Sequence, residues 1–144
     1  GRALIEALER PVARVGEAQV LARAGASAMM DLSDGLTKDL SRLCDASGVG
    51  ARVDLGAVPV SGPLASGAAL LGVDARSLAL SGGEDYELLF AVPPRRVACL
   101  AAAKLGCGVT RIGTIVRERG VTVVDAEGRR LARVTRAGHE HFRP

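Results

Sequence analysis

Apolar residues recur along this chain at two different spacings. Leu4, Ile5 and Leu8 share one face of a helix predicted over 2–9, and Val15, Ala18, Val20 and Leu21 continue the helical pattern over 12–24. Pro11 between them restarts or kinks the helix. Gly25 stops the pattern, and Ala28-Met29-Met30 reads as a short buried strand with Asp31 at its end. From Ser33 to Ser47 the apolar positions Leu36, Leu40, Leu43 and Cys44 recur at helical spacing, with Lys38, Asp39, Arg42 and Asp45 facing the other way. Ser33 is placed to cap this helix and Gly48 to end it. A strand over 51–55, a loop over 59–63, a short helix over 64–71 and a helical turn over 75–80 lead into Ser81-Gly82-Gly83. A second buried strand is expected over 86–92, closed by Pro93-Pro94 and followed by a helix over 95–105. Strands are predicted at 109–116, 121–124 and 131–135, with Asp125-Ala126-Glu127-Gly128 as the hairpin loop between the last two. Helices and strands interleave without strict alternation, which predicts an α+β layered domain with a mixed β-sheet packed against helices.

Composition narrows the classes of function. At 144 residues, with 48% hydrophobic against 24% charged positions, the chain is expected to fold as one compact domain. Tyr86, Phe90 and Phe142 are its only aromatic residues, so the core must be built from Leu, Val and Ala, and there is almost no material for stacking nucleic-acid bases. The net charge of +3 is dispersed over single positions and pairs such as Arg95-Arg96 and Arg129-Arg130, which read as solvated surface. No apolar run approaches membrane-spanning length and no basic-then-apolar leader opens the sequence, so neither a nucleic-acid nor a membrane partner is expected. Cys44, Cys99 and Cys107 form no C-x-x-C unit and read as small core residues in a reducing, cytoplasmic setting. The chain starts with Gly1 in place of Met, which suggests either a piece of something longer or a residue left by cloning.

Two segments concentrate chemistry. Asp31-Leu32-Ser33-Asp34-Gly35 falls where an apolar strand hands over to a helix. Two carboxylates beside a hydroxyl form a hard oxygen cluster of the kind that holds Mg²⁺ against phosphate, and the helix start adds a partial positive charge that favours an anion. The same residues also suit an ordinary N-cap with acids in the first turn. Ser81-Gly82-Gly83-Glu84-Asp85-Tyr86-Glu87 presents three acids on a glycine turn ahead of a strand, with Glu84 able to accept from a ligand amine or hold a metal-bound water. A turn with a solvated acidic edge has the same composition. His139 and His141 lack a third nearby ligand and read as surface or lid histidines.

In order and spacing these segments resemble thiamine-monophosphate kinases, relatives of aminoimidazole ribonucleotide synthetase, selenophosphate synthetase and the hydrogenase maturation dehydratase. Asp31 to Leu36 resembles that family's D-x-S-D-G-L segment and Ser81 to Phe90 reads S-G-G-E-D-Y-E-L-L-F, its most telling signature. Ser47-Gly48-Val49-Gly50-Ala51 and the terminal Gly138-x-x-His141-Phe142 also match. The resemblance implies a fold similar to the C-terminal domain of aminoimidazole ribonucleotide synthetase, with residues 1–144 the single C-terminal domain of a two-domain kinase whose N-terminal domain is absent. It further implies transfer of the ATP γ-phosphoryl group to thiamine monophosphate, Mg²⁺ on Asp31 and Asp34, ATP against Ser33, thiamine monophosphate against Glu84, and a homodimer at full length. His139 stands where the family places an aromatic substrate contact, and no residue is implied as a covalent catalyst. Two alternatives remain. One is another ATP-dependent member of the superfamily, although the hydrogenase maturation protein would carry a functional C-terminal cysteine and this chain ends His141-Phe142-Arg143-Pro144. The other is a nucleotide- or phosphate-binding module without turnover.

Overall fold

The computed structural model describes residues 2–134. In chain order the elements are α1 (Arg2–Glu9), α2 (Val15–Ala24), β1 (Ala28–Asp31), α3 (Leu36–Ser47), β2 (Gly50–Asp54), α4 (Gly62–Leu71), α5 (Ala75–Ser81), β3 (Leu88–Ala91), α6 (Val97–Ala102), β4 (Gly113–Val116), β5 (Gly120–Val124) and β6 (Arg130–Val134). β1 and β3 form an antiparallel pair, and the other strands form a four-stranded sheet in the order β4-β2-β5-β6. β2 runs parallel to β5 and antiparallel to β4, so that sheet is mixed, and the α+β expectation holds.

α3 is the pivot of the packing. Its Leu36, Leu40 and Cys44 enter one core with Ala51 and Val53 of β2, Val121 of β5, Leu89 of β3 and Val58, and Met30, Leu32 and Leu80 close its edge. The core is aliphatic, as the scarcity of aromatic residues required. Burial lifts the Cys44 thiol above its ordinary range, with a smaller push from the Asp45 charge. Cys99 is exposed and Cys107 half-buried, so the core reading of the cysteines holds for Cys44 alone; all three are free thiols.

Several elements differ from the sequence expectation for identifiable reasons. β1 and β3 are half-buried, with only Leu89 fully inside, because each has one strand neighbour. The helix expected over 95–105 splits into a 3₁₀ turn at Pro94–Arg96 and the short α6, which buries no residue and so lacks the packed face that would extend it. β4 begins only at Gly113. Pro63 sits inside the first turn of α4 behind the Ser61 cap, so the expected loop is partly helix. The apolar face of α1 also lies open: Ile5 and Leu8 are exposed, as are Leu70 and Leu71 at the end of α4. Among the described residues no helix is long and apolar enough to cross a membrane.

The parallel pairing of β2 with β5 depends on a close approach at Gly50, where a Cβ would run into the carbonyl oxygens of Glu118 and Gly120. Gly50→Ala should therefore destabilise the domain by about 1–3 kcal/mol, the usual cost of overpacking. Gly16→Ala, on α2 with nothing within 4 Å, should be neutral or stabilising by up to about 1 kcal/mol. Urea unfolding of the two variants beside the parent sequence measures both.

Candidate functional site

Asp31 and Leu88 are the last register pair of the β1–β3 ladder, but the two chains do not separate there. The N–H of Leu32 donates to the Glu87 carbonyl at 2.9 Å, the N–H of Tyr86 to the Leu32 carbonyl at 2.8 Å and the N–H of Glu84 to the Ser33 carbonyl at 2.8 Å. The two acidic segments are thus joined backbone to backbone. Ser33 and Glu84 are thereby in direct backbone contact, with Asp31 and Asp34 beside Ser33 in the chain. Thr37 Oγ1 donates to the Leu80 carbonyl at 3.1 Å and ties the first turn of α3 to the end of α5.

Glycine makes that contact possible. A Cβ at Gly35, whose φ is +104°, would lie 2.8 Å from the Ser81 carbonyl oxygen and 2.9 Å from that of Gly82. At Gly83 a Cβ would lie 2.5 Å from the Ser33 carbonyl oxygen. The turn opposite is strained: Glu84 (φ 67°) and Tyr86 (φ 51°) are the only non-glycine residues with positive φ among those described. Each left-handed residue costs about 1–2 kcal/mol, so the surrounding bonds must over-determine the turn.

The start of α3 is built differently from the expectation. Gly35, and not Ser33, occupies the N-cap position, and no side chain caps it. Asp39, fully buried one turn inside the helix, reaches back and accepts from the N–H groups of Ser33 and Asp34, both at 2.9 Å. It acts like the acidic member of a capping box, displaced by one position. Sequence reading placed Asp39 on the outer face because it is charged, yet its spacing from Leu36 and Leu43 lies within the buried stripe. An acid in a first helical turn was the available signal. Those two N–H groups are therefore already taken, and the positive end of α3 already faces a carboxylate, which narrows the expected phosphate cradle.

Arg42 donates to Asp39 Oδ1 at 3.0 Å and also bonds Asp34 Oδ2. The bond to Asp34 first, then the charges of Asp34 and Asp39, raise the guanidinium pKa above its ordinary value. Asp34 keeps 31% of its side chain exposed and stays accessible to a ligand. On the other flank, Arg14 at the start of α2 grips Glu87 with both prongs, Nη2 to Oε1 at 2.7 Å and Nε to Oε2 at 3.1 Å. Asp85 is exposed as a residue, yet its carboxyl is pushed above the ordinary carboxylate range, first by partial desolvation and then by the Glu87 charge. Arg14 and Arg42 were both missed in the sequence: nothing local announces the partner of Arg14, whereas the i,i+3 spacing of Asp39 and Arg42 on α3 was a signal that could have been read.

Among the described residues no three His, Cys, Asp or Glu side chains converge on a metal position. The donor set still fits part of a magnesium sphere, because Mg²⁺ takes one or two carboxylates and fills its remaining positions with water and phosphate oxygens. Were Mg²⁺ to bind here, Asp31, exposed at the end of β1, and Asp34 would be those carboxylates, and Asp34 would have to be shared with or released by Arg42. His139 lies outside the described residues. A cleft of about 380 Å³ lined by Arg52, Asp54, Thr114 and Asp125 is elsewhere, and none of the motif residues lines it.

Asp39→Ala would leave the N–H groups of Ser33 and Asp34 without their acceptor and Arg42 with Asp34 as its remaining carboxylate partner of this pair. We expect it to destabilise the chain by about 2–4 kcal/mol and to release the 31–35 segment. Thermal unfolding, with amide exchange at Ser33 and Asp34, measures both effects.

A family model described as "AIR synthase related protein, C-terminal domain" matches residues 4–126. The thiamine-monophosphate kinase of Salmonella typhimurium is 47% identical over 115 residues, covering 76% of this chain and 34% of that protein. The enzyme of the same name from Halobacterium salinarum is 46% identical over 93 residues, covering 65% of this chain and 31% of the relative. The chain spans about a third of the length of the curated relatives it matches. Among solved structures, "AaThiL complexed with AMPPCP and TMP" superposes with a TM-score of 0.79 at 33% identity, over 98% of this chain and 41% of that one. Thiamine-monophosphate kinase from Stenotrophomonas maltophilia gives 0.73 at 44% identity, over 84% and 38%. A hydrogenase maturation protein of Escherichia coli, 24% identical with a TM-score of 0.62, shares the fold.

Proposed function

Because this chain belongs to the AIR synthase related family, whose C-terminal domain model covers residues 4–126, we propose that it is the C-terminal part of a thiamine-monophosphate kinase. The parent would transfer the terminal phosphoryl group of ATP to the phosphate of thiamine monophosphate: the bond from the γ-phosphorus to the bridging oxygen breaks, ADP leaves with the electron pair, and a substrate phosphate oxygen forms the new bond. The observation that carries this reading is the direct joining of the two acidic segments, Glu84 N–H to Ser33 carbonyl at 2.8 Å. A name shared by relatives at 47% and 46% identity, and a related complex with an ATP analogue and TMP, support it.

Both reactants are polyanions, so charge neutralisation and in-line placement supply most of the rate. When bound, Mg²⁺ supplies that neutralisation. On this reading Asp31 and Asp34 hold it, Ser33 meets ATP, Glu84 accepts from the thiamine portion, and His139 takes the place of an aromatic substrate contact. Asp39 and Arg42 fix where Asp34 stands before any ligand arrives. The missing N-terminal part of the parent supplies the remaining ligands, and the parent works as a cytoplasmic homodimer.

A second reading applies to the chain alone. Because it spans only about a third of its relatives' length, it would serve by itself as a module that binds nucleotide or thiamine phosphate without turning it over.

The full-length parent should form thiamine diphosphate from thiamine monophosphate, ATP and Mg²⁺, and the 144-residue chain should not. Asp34→Asn in the parent should lower turnover by about a hundredfold or more, the order expected when transition-state charge loses its counter-ion, with only a small change in melting temperature. A parent inactive on thiamine monophosphate but active on another phosphate would move the reading within the superfamily.

A further inference from the structure

The second acidic segment needs a restraint that its own backbone does not provide. Its turn holds two non-glycine residues in the left-handed region, Glu84 and Tyr86, and places three acids within four positions. Hydrogen bonds to Leu32 and Ser33 fasten one edge of the turn. The opposite flank is fastened by a side chain that precedes it by 73 residues: Arg14 closes a two-pronged pair on the Glu87 carboxylate. Such a fork fixes direction as well as charge. Arg14 is itself placed by its position at the start of α2 and by Glu17 at 3.7 Å. The bond to Glu87 and then its charge raise the Arg14 pKa, so the cation persists at every working pH.

We infer that Arg14 is a positioning residue for phosphate-acceptor recognition, its fork on Glu87 holding the 84–86 turn in the shape that presents Glu84. This rests on the kinase reading for the identity of the acceptor. Without Arg14, Glu87 becomes an unscreened neighbour of Asp85, and their repulsion adds to the strain of the turn.

Two arms test the inference. In the 144-residue chain, Arg14→Ala should speed amide exchange at Glu84 and Tyr86 by about tenfold or more while leaving β2 and β5 protected, a local opening in place of a global one. In the parent, Arg14→Ala should raise the KM for thiamine monophosphate by about five- to tenfold, the range of one lost oriented charge pair, with the KM for ATP unchanged. Arg14→Lys should fail to restore it, since an ammonium has no fork, and the exchanged pair Arg14→Glu with Glu87→Arg should recover it in part. Unchanged exchange at Glu84 and Tyr86, equal rises in both KM values, or full rescue by lysine would overturn the inference. If the wild-type parent makes no thiamine diphosphate the kinase reading fails, and the exchange arm still decides the role of Arg14.

Discussion

The arrangement depends on a seam of main-chain hydrogen bonds that runs past the ends of β1 and β3. A two-stranded ladder would ordinarily fray where its last register pair ends. Here it continues through Leu32, Ser33, Glu84, Tyr86 and Glu87, so two loops distant in the chain act as one surface. The continuation has a steric condition: the backbones approach so closely at Gly35 and Gly83 that a methyl group at either would force them apart. It also has a conformational cost, visible in the left-handed Glu84 and Tyr86. Functional loops held by a rigid scaffold follow this pattern, with local strain over-determined by neighbours.

Electrostatics complete the restraint. Asp31, Asp34, Asp39, Glu84, Asp85 and Glu87 all belong to this small region, and acids so close repel one another unless cations are interleaved. Arg42, on α3, bridges Asp34 and the buried Asp39, whereas Arg14, at the N-cap position of α2, takes Glu87. Each arginine joins a loop to a helix, so the charge pairing also transmits the rigidity of the packed helices to the loops. Asp31 and Glu84 are exposed, which leaves both open to a ligand.

How much of this the sequence disclosed follows from the range of each signal. The helix over α3, the β5–β6 hairpin, the mixed sheet and both motifs were legible because periodicity and glycine placement are local properties. Ser33 looked like a cap because its residue type suits one, but the helix starts two residues beyond Gly35's predecessor Asp34, at Leu36, and Asp39 does the capping from inside. Residue type also misplaced Asp39, since a carboxylate in a buried stripe is readable only if spacing is allowed to overrule charge. Arg14 and Glu87 meet through the tertiary fold, and no pattern along the chain announces a contact across 73 positions. The helix expected over 95–105 came out broken and shorter for the opposite reason: its propensity was visible, but no residue of α6 is buried to sustain it.

The chemistry is one-sided, and that bears on how the site would work. Two candidate metal carboxylates leave most of an octahedral sphere to other donors, and the motif surface lies open. Phosphoryl transfer needs water excluded and both polyanions aligned, which an open surface does not provide by itself. A chain spanning about a third of its relatives' length is consistent with a site whose opposite wall belongs to the rest of the parent. On the kinase reading, this domain then contributes preorganisation: acids fixed by arginines and glycine contacts before ligand arrives, so that closure of the second wall aligns reactants against a surface that no longer has to move.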